Sequence, residues 1–158
     1  MYKLTKEQLD TIIMQHQMWL AGDIAGEQAD LSDVDLSDAE MLGIDLRGVN
    51  LSGAILFGAN LYKVDLSGAN FGGAVLNAAN MFASDLCGAN LCGALLGKTD
   101  LSSADLRNAN LNQAYLNSAN LSNADLSAAS LNVGYMRNTI GNMAEIKSLQ
   151  CDIWMVTY

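Results

Sequence analysis

Every fifth residue from Leu31 to Met136 is large and apolar, without one slip in register: Leu31, Leu36, Met41, Leu46, Leu51 and onward through Phe71, Met81 and Leu131. Two places before each stands a residue that is small almost throughout, from Ala29 and Ala39 to Ala129 and Gly134, and the residue between is usually Asp or Asn. A strict period of five excludes an α-helix, whose 3.6 residues per turn would carry the leucines around every side. It excludes a flat strand as well, because a strand has a period of two. What fits is a short extended piece, pointing in, out and in, followed by a two-residue corner of about a right angle. Four such pieces close a square coil. Stacked coils then hydrogen-bond to one another like parallel strands, at roughly 4.8 Å per coil.

With segments such as Ala59-Asn60-Leu61, Ala69-Asn70-Phe71 and Ala119-Asn120-Leu121, residues 29–138 resemble the pentapeptide repeat family, whose pattern is A(D/N)LXX. The resemblance implies an all-β solenoid, a right-handed quadrilateral β-helix. At this length it would have about five and a half coils and form a rod of roughly 26 Å. Glycine recurs at the second corner position (Gly43, Gly48, Gly53, Gly58, Gly68, Gly73, Gly88, Gly93), where a turn needs positive φ. From Lys98 onward that position holds Lys, Ser, Asn, Gln or Ala, which predicts a different turn there.

A stack of coils has open ends that invite aggregation unless covered. Residues 1–28 read as an N-terminal capping helix and linker. Thr5 and Gln8 form a capping box, Leu4 and Leu9 sit at staple positions, and Gly22 can end the helix. Leu9, Ile12, Ile13, His16, Trp19 and Leu20 follow helical spacing as the candidate capping face. His16, the sole histidine, has no partner constellation for catalysis and reads as packing or capping. The apolar pattern stops after Met136, and residues 139–158 read as a tail with a short helix over 142–149 and a strand over 151–158. That tail is expected to cap the last coil, to pair with a second copy, or both.

In a four-sided coil, residues twenty apart stack into outward columns. One column is all acid: Asp45, Asp65, Asp85, Asp105, Asp125. Like charges at this spacing repel by up to about 1 kcal/mol per neighbouring pair even in water. Arg47 and Arg107 stand two residues beyond Asp45 and Asp105, and Lys63 lies near Asp65 in sequence. A second column reads Asp35, Ile55, Val75, Leu95, Tyr115, Tyr135, so its last five members form an apolar strip expected to be covered by the tail or by another chain. Leu42, Tyr62 and Phe82 make a shorter strip on the next face.

The formal charge of −9, from 17 acidic and 8 basic side chains, argues against direct binding of nucleic acid or an anionic membrane. It favours a basic partner. Three cysteines, Cys87, Cys92 and Cys151, have no metal spacing and suggest no disulfide framework, which points to a reducing cytoplasm. Cys87 and Cys92 are expected to point outward on adjacent faces. The sequence contains no signal-peptide pattern, membrane-spanning stretch, P-loop or GxGxxG before a helix. No catalytic, cofactor-binding or metal residues are nominated. The expected function is a non-enzymatic protein–protein interaction scaffold, forming a homodimer. The family resemblance also implies a second reading, because quinolone-resistance pentapeptide proteins are acidic, dimeric rods. On that reading the chain is a bacterial DNA mimic acting on a type II topoisomerase such as gyrase. An adaptor that localises its partner through the apolar strip is a third.

Overall fold

Residues twenty apart pair with one another along the whole repeat, as the period of five requires. The computed structural model describes residues 2–132 and 135–141. Four parallel ladders run along it: Asp30–Asn50–Asn70–Asn90–Asn110–Ser130, Asp35–Ile55–Val75–Leu95–Tyr115–Tyr135, Glu40–Asn60–Asn80–Asp100–Asn120, and Asp45–Asp65–Asp85–Asp105–Asp125. The result is a repeat β-helix whose sides are mostly single bridged residues, because each extended piece turns a corner almost at once. The hydrogen bonding is regular. The outward residue donates to the coil before it, as Asn70 N–H does to the Val49 carbonyl at 2.9 Å. The central residue donates to the coil after it, as Leu51 N–H does to the Asn70 carbonyl at 2.7 Å.

Inside, the central residues form a continuous apolar core, with Phe71 the largest fully buried side chain. Each buried leucine contributes roughly 1.5–3 kcal/mol relative to exposure. Ser84 and Thr99 occupy small inward positions, and their hydroxyls donate to the Met81 and Leu76 carbonyls at 2.8 and 2.7 Å. The two buried hydroxyls therefore carry no unsatisfied donor.

The corners do not change type at Lys98. Lys98, Ser103, Asn108, Gln113, Ser118, Asn123 and Ala128 all have φ near +60°, as the earlier glycines do. The expectation of a different turn is wrong, and the ladder explains why. From Lys98 to Ser118, as at the earlier glycines, the N–H of the left-handed residue is committed to the next coil (Gly53 to Gly72 at 2.9 Å, Lys98 to Asn117 at 2.9 Å), so the stack imposes one corner geometry there whatever the residue. A non-glycine residue in this region is strained by roughly 1–2 kcal/mol. Ala128→Gly is therefore expected to raise stability, by about 0.5–1 kcal/mol. Chemical denaturation would read this as a higher midpoint.

At the first coil, helix α1 (Lys6–Leu20) begins with Thr5 as N-cap and the full capping box with Gln8. It ends in a Schellman motif: Gly22, at φ +79°, donates to Trp19 and Asp23 donates to Met18. Leu4, Leu9, Ile12 and Ile13 pack on the core. Gln17 and Gln28 reach down to the Asp45 and Gly48 carbonyls. Gly26 lies against the helix backbone, where an added Cβ would stand 2.1 Å from the Trp19 nitrogen.

Two pairings were not visible in the repeat pattern. Strand β1 (Tyr2–Lys3) adds in parallel to β2 (Val34–Asp35), placing Lys3 beside Asp35 on top of the second ladder. At the other end β4 (Ile140–Gly141) pairs with β3 (Asn120–Leu121), one repeat beyond the last large apolar residue, Met136. The helix and strand expected over 142–149 and 151–158 lie outside the described residues.

Candidate functional site

The outward Asp and Asn side chains have a local duty before any partner is considered. Each accepts the N–H two residues on and so closes the corner: Ser67 to Asp65 at 3.1 Å, Cys87 to Asp85 at 2.9 Å, Cys92 to Asn90 at 3.2 Å. Asn has a second use that Asp lacks, because its amide also donates. Asn70 donates to Asn50, Asn90 to Asn70 and Asn110 to Asn90 at 2.9–3.2 Å, linking successive coils. The Glu40 ladder does the same through Asn60, Asn80 and Asn120.

The column Asp45, Asp65, Asp85, Asp105, Asp125 forgoes those links and stacks like charges instead. Two arginines relieve its ends. Arg47 bridges Asp45 at 2.8 Å and Asp65 at 3.6 Å, while Arg107 bridges Asp105 at 2.5 Å and Asp125 at 3.9 Å. The Arg side-chain hydrogen bonds hold the Asp45 and Asp105 carboxyls below the usual carboxylate range, and the Ser127 hydroxyl and N–H do so for Asp125. Asp85, between them, has no ion-pair partner among the described residues. Lys63 does not serve the column; its ammonium lies over the Tyr62 ring, 5.2 Å from the centroid.

The apolar strip shares one ladder, but it is less exposed than expected. Ile55, Val75 and Leu95 are half-buried, and only Tyr115 and Tyr135 are exposed, stacked at 5.2 Å. Ladder neighbours one coil away on each side cover the flanks of the shorter side chains, and the larger tyrosine rings present more surface beyond that cover. Tyr62 and Phe82 also stack, at 5.7 Å, with Leu42 exposed at the end of their row. Cys87 and Cys92 are half-buried free thiols.

On the candidate capping face Leu9, Ile12, Ile13 and Leu20 are half-buried and His16 is fully buried, but Trp19 is 40% exposed and covers His16 by stacking at 5.5 Å. The His16 Nδ1 accepts the Ala29 N–H at 3.1 Å, so Nε2 carries the proton and has no hydrogen-bond partner among the described residues. Burial pushes the imidazole below its ordinary value of 6.5, against the Asp45 carboxylate and the Arg47 backbone, which pull it up. Since the folded pKa is depressed, the unfolded chain takes up the proton first. Stability present above pH 6.5 is then lost as pH falls toward the folded value, at up to about 1.4 kcal/mol per unit. Denaturation at pH 7 and pH 5.5 should show this slope, and His16→Gln should flatten it. The aspartates with depressed pKa values add their own loss only at lower pH, as they protonate below the ordinary 3.8.

Among the described residues no group of His, Cys, Asp or Glu could hold a metal ion, and no helix is long and apolar enough to cross a membrane. The chain is similar to a pentapeptide repeat protein (Rfr23) from the cyanobacterium Cyanothece, at 32% identity and TM-score 0.33 over 63% of this chain and 65% of that one. A trypsin-treated form of QnrB1, a plasmid-mediated fluoroquinolone resistance protein, is similar at 25% identity and TM-score 0.48 over 76% and 61%. So is a pentapeptide repeat protein from Nostoc, at 25% identity and TM-score 0.42 over 96% and 98%. The chain thus spans less than two thirds of the length of the first two. No curated protein matches it. The model of pentapeptide repeats matches residues 27–53, 54–93 and 94–132 in 8 copies, and with that the chain belongs to the pentapeptide repeat family.

Proposed function

We propose that this chain is a non-enzymatic binding scaffold whose aspartate column engages a basic face of a partner protein. One observation carries the reading. At the outward position Asn closes the corner as well as Asp and also links the coils, so five stacked aspartates are the less stable choice for the fold. A column held against its own repulsion is accounted for by a partner that supplies the missing positive charge.

A second reading narrows the partner to a type II topoisomerase such as gyrase, with the column standing in for the phosphate track of DNA. It rests on the same column, the charge of −9 and the sequence resemblance described above. Adding the protein to a gyrase supercoiling assay tests it. Inhibition or drug protection at micromolar protein that fades steeply between low and high salt is the expected outcome. No effect, or an effect indifferent to salt, removes gyrase and sends the search to the Ile55–Tyr135 strip, the contact surface of the adaptor reading.

The finer architecture belongs to the same proposal. We read the coil as right-handed, the hand that parallel connections favour, and of about five and a half turns. Residues 1–28 act as cap and linker, 29–138 as the binding rod, and 139–158 as a second cap or the contact of a homodimer. A reducing cytoplasm suits its free thiols.

A further inference from the structure

We propose that the cleft between α1 and the first coil is a strand-addition site, built for an extended segment of a partner polypeptide with a small residue, a cation and a leucine in succession. The first coil is unfinished on this side. One coil on, both backbone groups of Asn60 are paired with the coil before it: its N–H donates to the Ala39 carbonyl at 2.9 Å and its carbonyl accepts from Met41 at 3.0 Å. The backbone N–H and carbonyl of Glu40 have no such partners among the described residues.

The floor beneath is open too. Ala39 and Ile44 are half-buried, whereas Ala59 and Val64, which occupy the same positions one coil on, are 0% and 1% exposed. Leu4, Leu9, Ile13 and Leu36 line the remaining apolar wall of a cleft of about 400 Å³. That volume lies within the range of sites that bind ligands.

The chain's own N-terminus shows what this edge accepts. On the neighbouring ladder β1 lies parallel, with Tyr2 over Val34 and Lys3 over Asp35, and Leu4 follows against the core. Lys3-Leu4 thus repeats the out–in half of the step with a cation outward, Tyr2 before them staying exposed, and Lys3 helps hold the Asp35 carboxyl below the usual carboxylate range, after the larger effect of Ser37. Helix α1 then begins, so the next side of the coil receives no strand. An incoming segment that copied β1 would place its cation over Glu40, in a cleft also lined by Asp10, Lys3 and Lys6. Glu40 N–H would donate to the carbonyl of the segment's small residue, and the leucine N–H would donate to the Glu40 carbonyl. A strand supplies both groups at that spacing, which is the basis of recognition by strand addition.

The test uses the full ¹⁵N-labelled chain and the blocked heptapeptide Ser-Gly-Ala-Lys-Leu-Ser-Gly. Saturable shifts of the Glu40, Ala39 and Ile44 amides are expected. N-methylation of the peptide leucine should weaken binding about tenfold, the equivalent of one lost hydrogen bond. Norleucine in place of the peptide lysine should weaken it several-fold in the parent protein but not in Glu40→Gln, which still accepts the Asn60 amide. An absence of shifts up to about 1 mM peptide, or equal binding of the N-methylated peptide, overturns the proposal. Neither result bears on the aspartate column, which lies on another side of the coil.

Discussion

Phe71→Ala is expected to destabilise the protein by about 3–5 kcal/mol. The ring is fully buried at mid-stack, with Leu51 one coil before it and Leu91 one coil after. Truncation opens a cavity that the ladders on all four sides prevent from collapsing, because every neighbouring backbone is hydrogen-bonded to the coils above and below. In a solenoid each coil contacts only its neighbours, so a fault in the middle also weakens the coupling between the two halves. The denaturation midpoint should fall and the transition should broaden. Phe71→Leu is the control: it restores the residue found at Leu51 and Leu91 and should cost less than about 1.5 kcal/mol. If the alanine variant unfolds at the parent midpoint, the core is not the continuous packed column described above.

The second large effect concerns binding. Changing Asp65, Asp85 and Asp105 to Asn is expected to weaken the basic partner by at least about 100-fold at low salt, since three charge contacts near 1 kcal/mol each are removed. The corner bonds survive the change, because Asn90 and Asn110 accept the N–H two residues on just as Asp85 and Asp65 do. Circular dichroism should therefore be unchanged while binding and its salt dependence are lost. If the variant binds as the parent does, the contact lies elsewhere on the rod, and the stacked Tyr115 and Tyr135 become the first place to look.

Much of this was legible from residue counting. A period of five fixes a twenty-residue register, and the two columns read from it, Asp45 to Asp125 and Asp35 to Tyr135, recur as bridged ladders. Position alone does not say how covered a column is, and Ile55, Val75 and Leu95 are less exposed than their outward positions suggest. It also could not show that the corner at Lys98 is dictated by the Asn117 carbonyl rather than by local preference. Strand β1 was hidden because Lys3 pairs with Asp35 out of the twenty-residue spacing. The tight seat of Gly26 on Trp19 depends on how a linker folds back over a helix, which no periodicity encodes. The difference between Asp and Asn columns lies in the amide links between coils, which the repeat pattern does not display.

If the aspartate column is kept for a partner at the expense of the fold, Asp85→Asn reveals it without any partner present. Asp85 has aspartate above and below and no ion pair among the described residues. The new amide can donate to Asp65 as Asn120 does to Asp100 at 3.2 Å, while its oxygen keeps the Cys87 N–H. Relief of repulsion and one added hydrogen bond should together stabilise the chain by roughly 1–2 kcal/mol, read as a higher urea midpoint at low salt with a smaller gain at high salt. A midpoint that stays put or falls would mean that aspartate is the fold's own preference there, and the column would lose its claim to be a binding face.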